Sequence, residues 1–120
     1  MKQVDVRYSD CPIRNVISHF GDKWSMLVLY TLFSKGTLRF SELQREMLDI
    51  SQKMLSKTLK RLEQNGLVLR KVYPEVPPRV EYAFSDLGKS LIPAMEPLLD
   101  WSKQHMISFV QIAESAEVVG

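Results

Sequence analysis

The sequence predicts a mainly α-helical fold carrying one small β-hairpin, on three observations. Apolar residues recur at helical spacing through the first half of the 120-residue chain and again near its end. Over residues 67–84 the pattern changes to two β-rich runs, separated by the turn segment Pro74-Glu75-Val76-Pro77-Pro78. Capping and stop residues, rather than linkers, stand between the helical segments, and no repeat or low-complexity tract appears.

Each element has its own justification. Pro12 follows Asp10-Cys11 at a first helical position, where its missing N–H does no harm, and Ile13, Val16, Ile17 and Phe20 come after it at helical spacing. Gly21 ends that helix and Asp22 caps the next, from about Lys23 to Lys35. There Trp24, Leu27, Val28 and Leu32 form one stripe, with Met26, Leu29, Tyr30 and Phe33 beside it. A helix apolar almost all round is expected to be the central buried one, and Gly36 is its stop. A short helix follows, capped by Ser41, with Leu43 and Met47 on its inner edge. Asp49-Ile50 is a turn and Ser51 caps a helix of about residues 52–64, which buries Met54, Leu55, Thr58, Leu59 and Leu62 and stops at Asn65-Gly66.

Leu67 to Tyr73 and Arg79 to Phe84 then read as strands. Val80, Tyr82 and Phe84 point one way; Arg79, Glu81 and Ala83 point the other. Ser85 caps a helical turn from Asp86 to about Leu91. Pro93 starts the final helix, which runs to about Ala113 and carries Pro97 as a source of strain in its first turns. Residues Ser115 to Gly120 are expected to fray. A short helix, a tight turn and a second helix, followed at once by a β-hairpin, is the winged helix-turn-helix arrangement.

Composition narrows the classes. Hydrophobic content of 45% with 25% charged residues is that of an ordinary folded domain, and the length reads as one domain, residues 1–120. A chain this size buries roughly two thirds of its unfolded surface, so it folds without disulfides or metal. One cysteine, Cys11, excludes an internal bridge and with it the secreted disulfide scaffold. No apolar run approaches the ~18 residues of a membrane span, and Met1-Lys2-Gln3-Val4-Asp5 lacks a signal-peptide core. A cytoplasmic location with no membrane partner is the expectation.

The net charge of +2 hides an asymmetry. Residues 39–71 carry 8 basic and 4 acidic groups, whereas residues 72–120 carry 3 basic and 7 acidic ones. On the helix of residues 52–64, burial leaves Gln52, Lys53, Ser56, Lys57, Lys60, Arg61 and Gln64 outside. Lys53, Lys57 and Lys60 make one basic stripe, and no acidic residue appears before Glu63. A merely solvated helix would interleave Glu with Lys, so this face points to nucleic acid. Gln52, Lys53, Ser56 and Lys57 are the candidate base readers. Lys60, Arg61, Lys71, Arg79 and Arg39 are the candidate phosphate or minor-groove contacts. Arg70 is assigned to a cross-hairpin pair with Glu81, and Arg79 is divided between groove contact and wing stabilisation.

These residues fall into a known pattern. The chain resembles the HxlR family of winged helix-turn-helix regulators in Cys11-Pro12, Gly21-Asp22-Lys23-Trp24, Arg39-Phe40-Ser41-Glu42-Leu43, Ile50-Ser51-Gln52-Lys53-Met54-Leu55 and the Asn65-Gly66-Leu67 turn. Val76-Pro77-Pro78-Arg79-Val80-Glu81-Tyr82, Ser85 and Leu87-Gly88 complete the match, which spans roughly residues 7–105. Asp22 stands where the family often has a second glycine. The resemblance implies a homodimeric regulator that binds duplex DNA at a short pseudo-palindrome. Its DNA-binding core would span about 22–88, with dimerisation through helices at about 12–20 and 93–113. The dimer contacts would include Ile13, Val16, Ile17, Leu98, Leu99, Trp101, Ile107 and Phe109. Some members of the family sense oxidants or electrophiles through a cysteine matching Cys11, which the resemblance makes a candidate sensor, the alternative being an inert N-cap cysteine. A helix N-terminus favours the thiolate there, while Asp10 opposes it.

Other classes compete less well. A winged-helix interaction module would dock the basic stripe on an acidic partner. RNA binding lacks an exposed aromatic platform for stacking bases. An enzyme is not expected: His19 and His105 show no metal-ligand spacing, and Cys11 lies eight residues from His19, about 12 Å of helical rise, too far for a nucleophile–base pair. No cofactor is expected, and the sequence names no effector.

Overall fold

Capping side chains set three of the helix starts, at Asp22, Ser51 and Ser85. In the computed structural model, which describes residues 11–119, the elements run α1 (Pro12–Phe20), α2 (Lys23–Lys35), β1 (Leu38–Arg39), α3 (Phe40–Met47), α4 (Gln52–Gln64), β2 (Val68–Tyr73), β3 (Arg79–Phe84), α5 (Asp86–Lys89) and α6 (Ile92–Val119). The Asp22 carboxylate accepts the Ser25 N–H at 3.1 Å, and Ser51 Oγ accepts the Met54 N–H at 3.1 Å. Gly36 and Gly66 end α2 and α4 at φ +83° and +78°, where a side chain would be strained. The end of α4 is a Schellman turn: Leu67 N–H reaches the Leu62 carbonyl and Gly66 N–H that of Glu63, each at 3.0 Å.

The described residues divide into two compact units between Lys89 and Ser90. In the first, α2 packs on α3 and α4, and α4 packs on β2. Its centre is Val28, Leu29, Leu32, Leu43, Leu55, Leu59, Leu62 and Val68, none more than 2% exposed. Each such side chain contributes about 1.5–3 kcal/mol relative to an exposed one, so the rotation of α4 about its axis is firmly set. The second unit is the long helix α6.

Several expectations need correction. Among the described residues the sheet has three strands in the order β1-β3-β2, with Leu38 opposite Tyr82 and Arg39 opposite Glu81. A two-residue strand has no periodicity to read. Ser41 lies inside α3 and does not cap it; Arg39 holds the N-cap position, its N–H donating to Glu42 Oε1 at 2.8 Å. On α2 the buried face is Ser25, Val28, Leu29, Thr31 and Leu32. Trp24 and Leu27 are only half-buried and Tyr30 is exposed. The turn after Ser85 is short, Asp86–Lys89. Helix α6 runs to Val119, past Ala113, and takes in Pro97 at its sixth position, where the missing N–H leaves the Pro93 carbonyl without its helical donor.

Register also removes the expected Arg70–Glu81 pair. Arg70 lies opposite Tyr82 and Lys71 opposite Glu81, while Arg79 takes the Glu81 carboxylate. At the foot of the hairpin, Ser85 Oγ donates to the Gly66 carbonyl and accepts the Gly88 N–H. A Cβ on Gly88 would collide with the Leu67 carbonyl and the Phe84 ring, so glycine is required there by close approach.

Candidate nucleic-acid interface

With Leu55, Thr58, Leu59 and Leu62 turned inward, α4 presents Gln52, Lys53, Ser56, Lys57 and Lys60 on its exposed side. Thr58 is satisfied within the helix, its hydroxyl donating to the Met54 carbonyl at 2.8 Å. Among the described residues, Lys53, Lys57 and Lys60 form no ion pair with a carboxylate. The stripe expected from the sequence is therefore one continuous basic surface on the second helix of the helix-turn-helix.

The remaining candidate cations are not brought together with it. Arg61 is half-buried and pairs with Asp22 at 3.4 Å, tying α4 to the start of α2. Arg79 lies 3.3 Å from Glu75 and 3.7 Å from Glu81, with its guanidinium 3.9 Å over the Tyr73 ring. Of the two roles expected for Arg79, these contacts are those of wing stabilisation. Directly opposed residues in antiparallel strands share a face. Arg39 and Lys71, both opposite Glu81 and both exposed, thus share the sheet face of that carboxylate.

Arg70, expected to pair with Glu81, is placed differently. It lies on the other face, with the buried Val68 and Tyr82, and turns toward α4. There Ser56, Leu59, Lys60, Glu63, Arg70 and Tyr82 line a groove of about 290 Å³. Period-two alternation along β2 could have separated Arg70 from Lys71, had the buried face of that strand been read first.

Electrostatics at the Asp22–Arg61 link oppose one another. Partial burial pushes the Asp22 carboxyl up, but hydrogen bonds from Ser25 and the Arg61 charge together outweigh it, leaving Asp22 below its ordinary value. A second polar link runs nearby: Asn65 Nδ2 donates to the His19 carbonyl at 3.1 Å, joining the ends of α1 and α4.

Cys11 is a free, half-buried thiol at the N-cap of α1, and its side chain makes no capping hydrogen bond. Asp10, expected to oppose its ionisation, lies outside the described residues. On α1, Ile13, Val16 and Ile17 are exposed, and on α6 so are Leu98, Trp101, Ile107 and Phe109, with Leu99 half-buried. Met106, Val110 and Ile112 are also exposed on α6 and were not singled out, although the run 106–112 is visibly apolar. Trp101 stacks on His105 at 4.9 Å and meets Phe109 edge-on at 6.3 Å. Among the described residues no group of His, Cys, Asp or Glu is placed to hold a metal ion, and no helix is long and apolar enough to cross a membrane.

Comparison with known proteins agrees with this architecture. An uncharacterized HTH-type transcriptional regulator of Methanothermobacter thermautotrophicus is 48% identical over 95 residues, covering 79% of this chain and 72% of that protein. The redox regulator HypR in its oxidized form superposes with a TM-score of 0.73 at 35% identity, over 78% of this chain and 96% of that one. Diamide-treated YodB from Bacillus subtilis gives a TM-score of 0.66 at 37% identity, over 78% and 92%. The HxlR-like helix-turn-helix family matches residues 19–108, and the chain belongs to that family.

Proposed function

We propose that this protein is a transcriptional regulator that binds duplex DNA as a homodimer, each α4 entering a major groove of a short pseudo-palindromic operator. The observation that carries the reading is the exposed side of α4, where three lysines stand without carboxylate partners among the described residues, on a helix whose rotation is set by a buried leucine face. Gln52, Lys53, Ser56 and Lys57 lie toward its N-terminal end, the part of a recognition helix that meets base edges. Lys60, with Arg39 and Lys71 from the sheet, adds phosphate contacts that fix register without reading sequence.

Dimerisation uses the apolar faces of α1 and α6, helices flanking a DNA-binding core of about 22–88. Two recognition helices then read half-sites about 34 Å apart. The thiol of Cys11 supplies the switch: HypR has been solved in oxidized and reduced forms, and YodB after diamide treatment. With one cysteine per chain, a two-electron thiol oxidant such as diamide takes up two electrons and two protons as one S–S bond replaces two S–H bonds, the two thiols coming one from each of two chains or from Cys11 and a small thiol.

Selection from a random duplex library tests the reading. An inverted repeat with half-sites one turn apart is expected, and oxidation should abolish binding in the wild type but not in Cys11→Ser. Lys57→Glu should abolish binding while leaving the dimer intact; wild-type affinity in that variant would remove α4 from the interface. No enriched sequence at moderate salt would favour a protein-interaction module instead.

A further inference from the structure

We infer that the groove between α4 and the sheet is a phosphate seat, in which Arg70 and Lys60 together hold one backbone phosphate of the bound duplex. The inference rests on the DNA-binding reading above and adds to it a residue that the sequence placed elsewhere. A helix in a major groove and a wing at the neighbouring minor groove are separated by one sugar-phosphate strand, so that strand must pass between them. The groove lined by Ser56, Leu59, Lys60, Glu63, Arg70 and Tyr82 is the space between those two elements.

Three features fit it to a phosphate. Its two cations come from different elements, Lys60 from α4 and Arg70 from β2, and both are exposed; among the described residues neither forms an ion pair. Arg70 is aimed by register, since Val68 and Tyr82 on the same face are buried and hold that face against the helices. Ser56 and Tyr82 line the same space, and both residue types carry a hydroxyl that can donate to a phosphate oxygen. Arginine suits the task because its planar fork matches two phosphate oxygens at once. Glu63 lines the groove as well and opposes an anion there, which makes it a second probe of the same seat.

A phosphate contact contributes about 0.9 to the slope of log affinity against log salt. Arg70→Gln should therefore lower that slope, and the double variant Arg70→Gln/Lys60→Gln should lower it by about 0.9, equally on operator and scrambled duplex. The loss matching 0.9 is about eightfold in affinity at 0.1 M salt when affinities converge at 1 M. Arg70→Lys should restore most of the slope, which a packing role for the guanidinium would not predict. Glu63→Gln should raise affinity on both duplexes. An unchanged slope in folded Arg70→Gln, or no gain in Glu63→Gln, overturns the inference. Lys53→Gln separates the two readings: if it lowers affinity while Arg70→Gln does not, α4 binds DNA and the groove holds no phosphate. Absence of duplex binding by the wild type overturns both.

Discussion

Leu48 sits between α3 and the Ser51 cap at φ +61° and ψ −67°, with Asp49 N–H reaching the Met47 carbonyl at 2.7 Å. That is a classical γ-turn, a strained conformation that costs a non-glycine residue about 1–3 kcal/mol. The side chain is 86% exposed, so it returns little packing. Leu48→Gly should therefore stabilise the protein by about 1 kcal/mol, after the extra entropy glycine loses on folding. Urea unfolding would show it as a raised midpoint; a lowered one would mean that the leucine makes contacts that outweigh the strain. Nothing in a leucine signals positive φ, whereas the glycines at 36 and 66 were readable as stops. The same limit applied to the arginines. Their charge was legible, but Arg61 finds Asp22 and Arg79 finds Glu75 and Glu81 only through the folded chain, so their removal from the basic surface was not.

Helix boundaries were legible where a side chain caps the backbone, as at Asp22 and Ser51, because capping is local chemistry. Strand β1 was not, since its pairing with β3 is long-range and two residues long. The Asp22 cap carries a prediction of its own. Folding lowers the Asp22 carboxyl below its ordinary 3.8, so the charged form is favoured in the native state. Its contribution is present above that value and disappears as pH falls through the lowered one. The stability difference between wild type and Asp22→Asn, measured by urea unfolding from neutral pH downward, should shrink in the acid range below 3.8. A difference that stays constant with pH would show that the cap acts without its charge.

Across the whole molecule, the order of elements and the basic helix were legible because amphipathic periodicity and turn residues are written locally. No linker residues mark the division of the described residues at Lys89–Ser90, which depends on which elements touch. Exposed apolar side chains concentrate on α1 and α6, and Ile107, 68% exposed in the single chain, tests what they do. Ile107→Glu should leave the helix folded, shift sedimentation toward monomer and cost at least tenfold in operator affinity, because each half-site then binds alone. A variant that remained dimeric would place the interface elsewhere.

The strand order β1-β3-β2 has one more outcome. It leaves β2 at the rim of the sheet, six residues long and carrying the exposed Leu69 and Val72. A rim strand of that length is a template for ladder growth from one molecule to the next. Arg70 and Lys71 stand side by side in its middle and place a positive charge on each face. Two copies approaching rim to rim therefore meet like charges on both faces, and the side chains proposed to hold a nucleic acid also oppose self-association of the free protein. Salt screens both effects together, so the conditions that strip this protein from DNA are also those in which it most readily clumps.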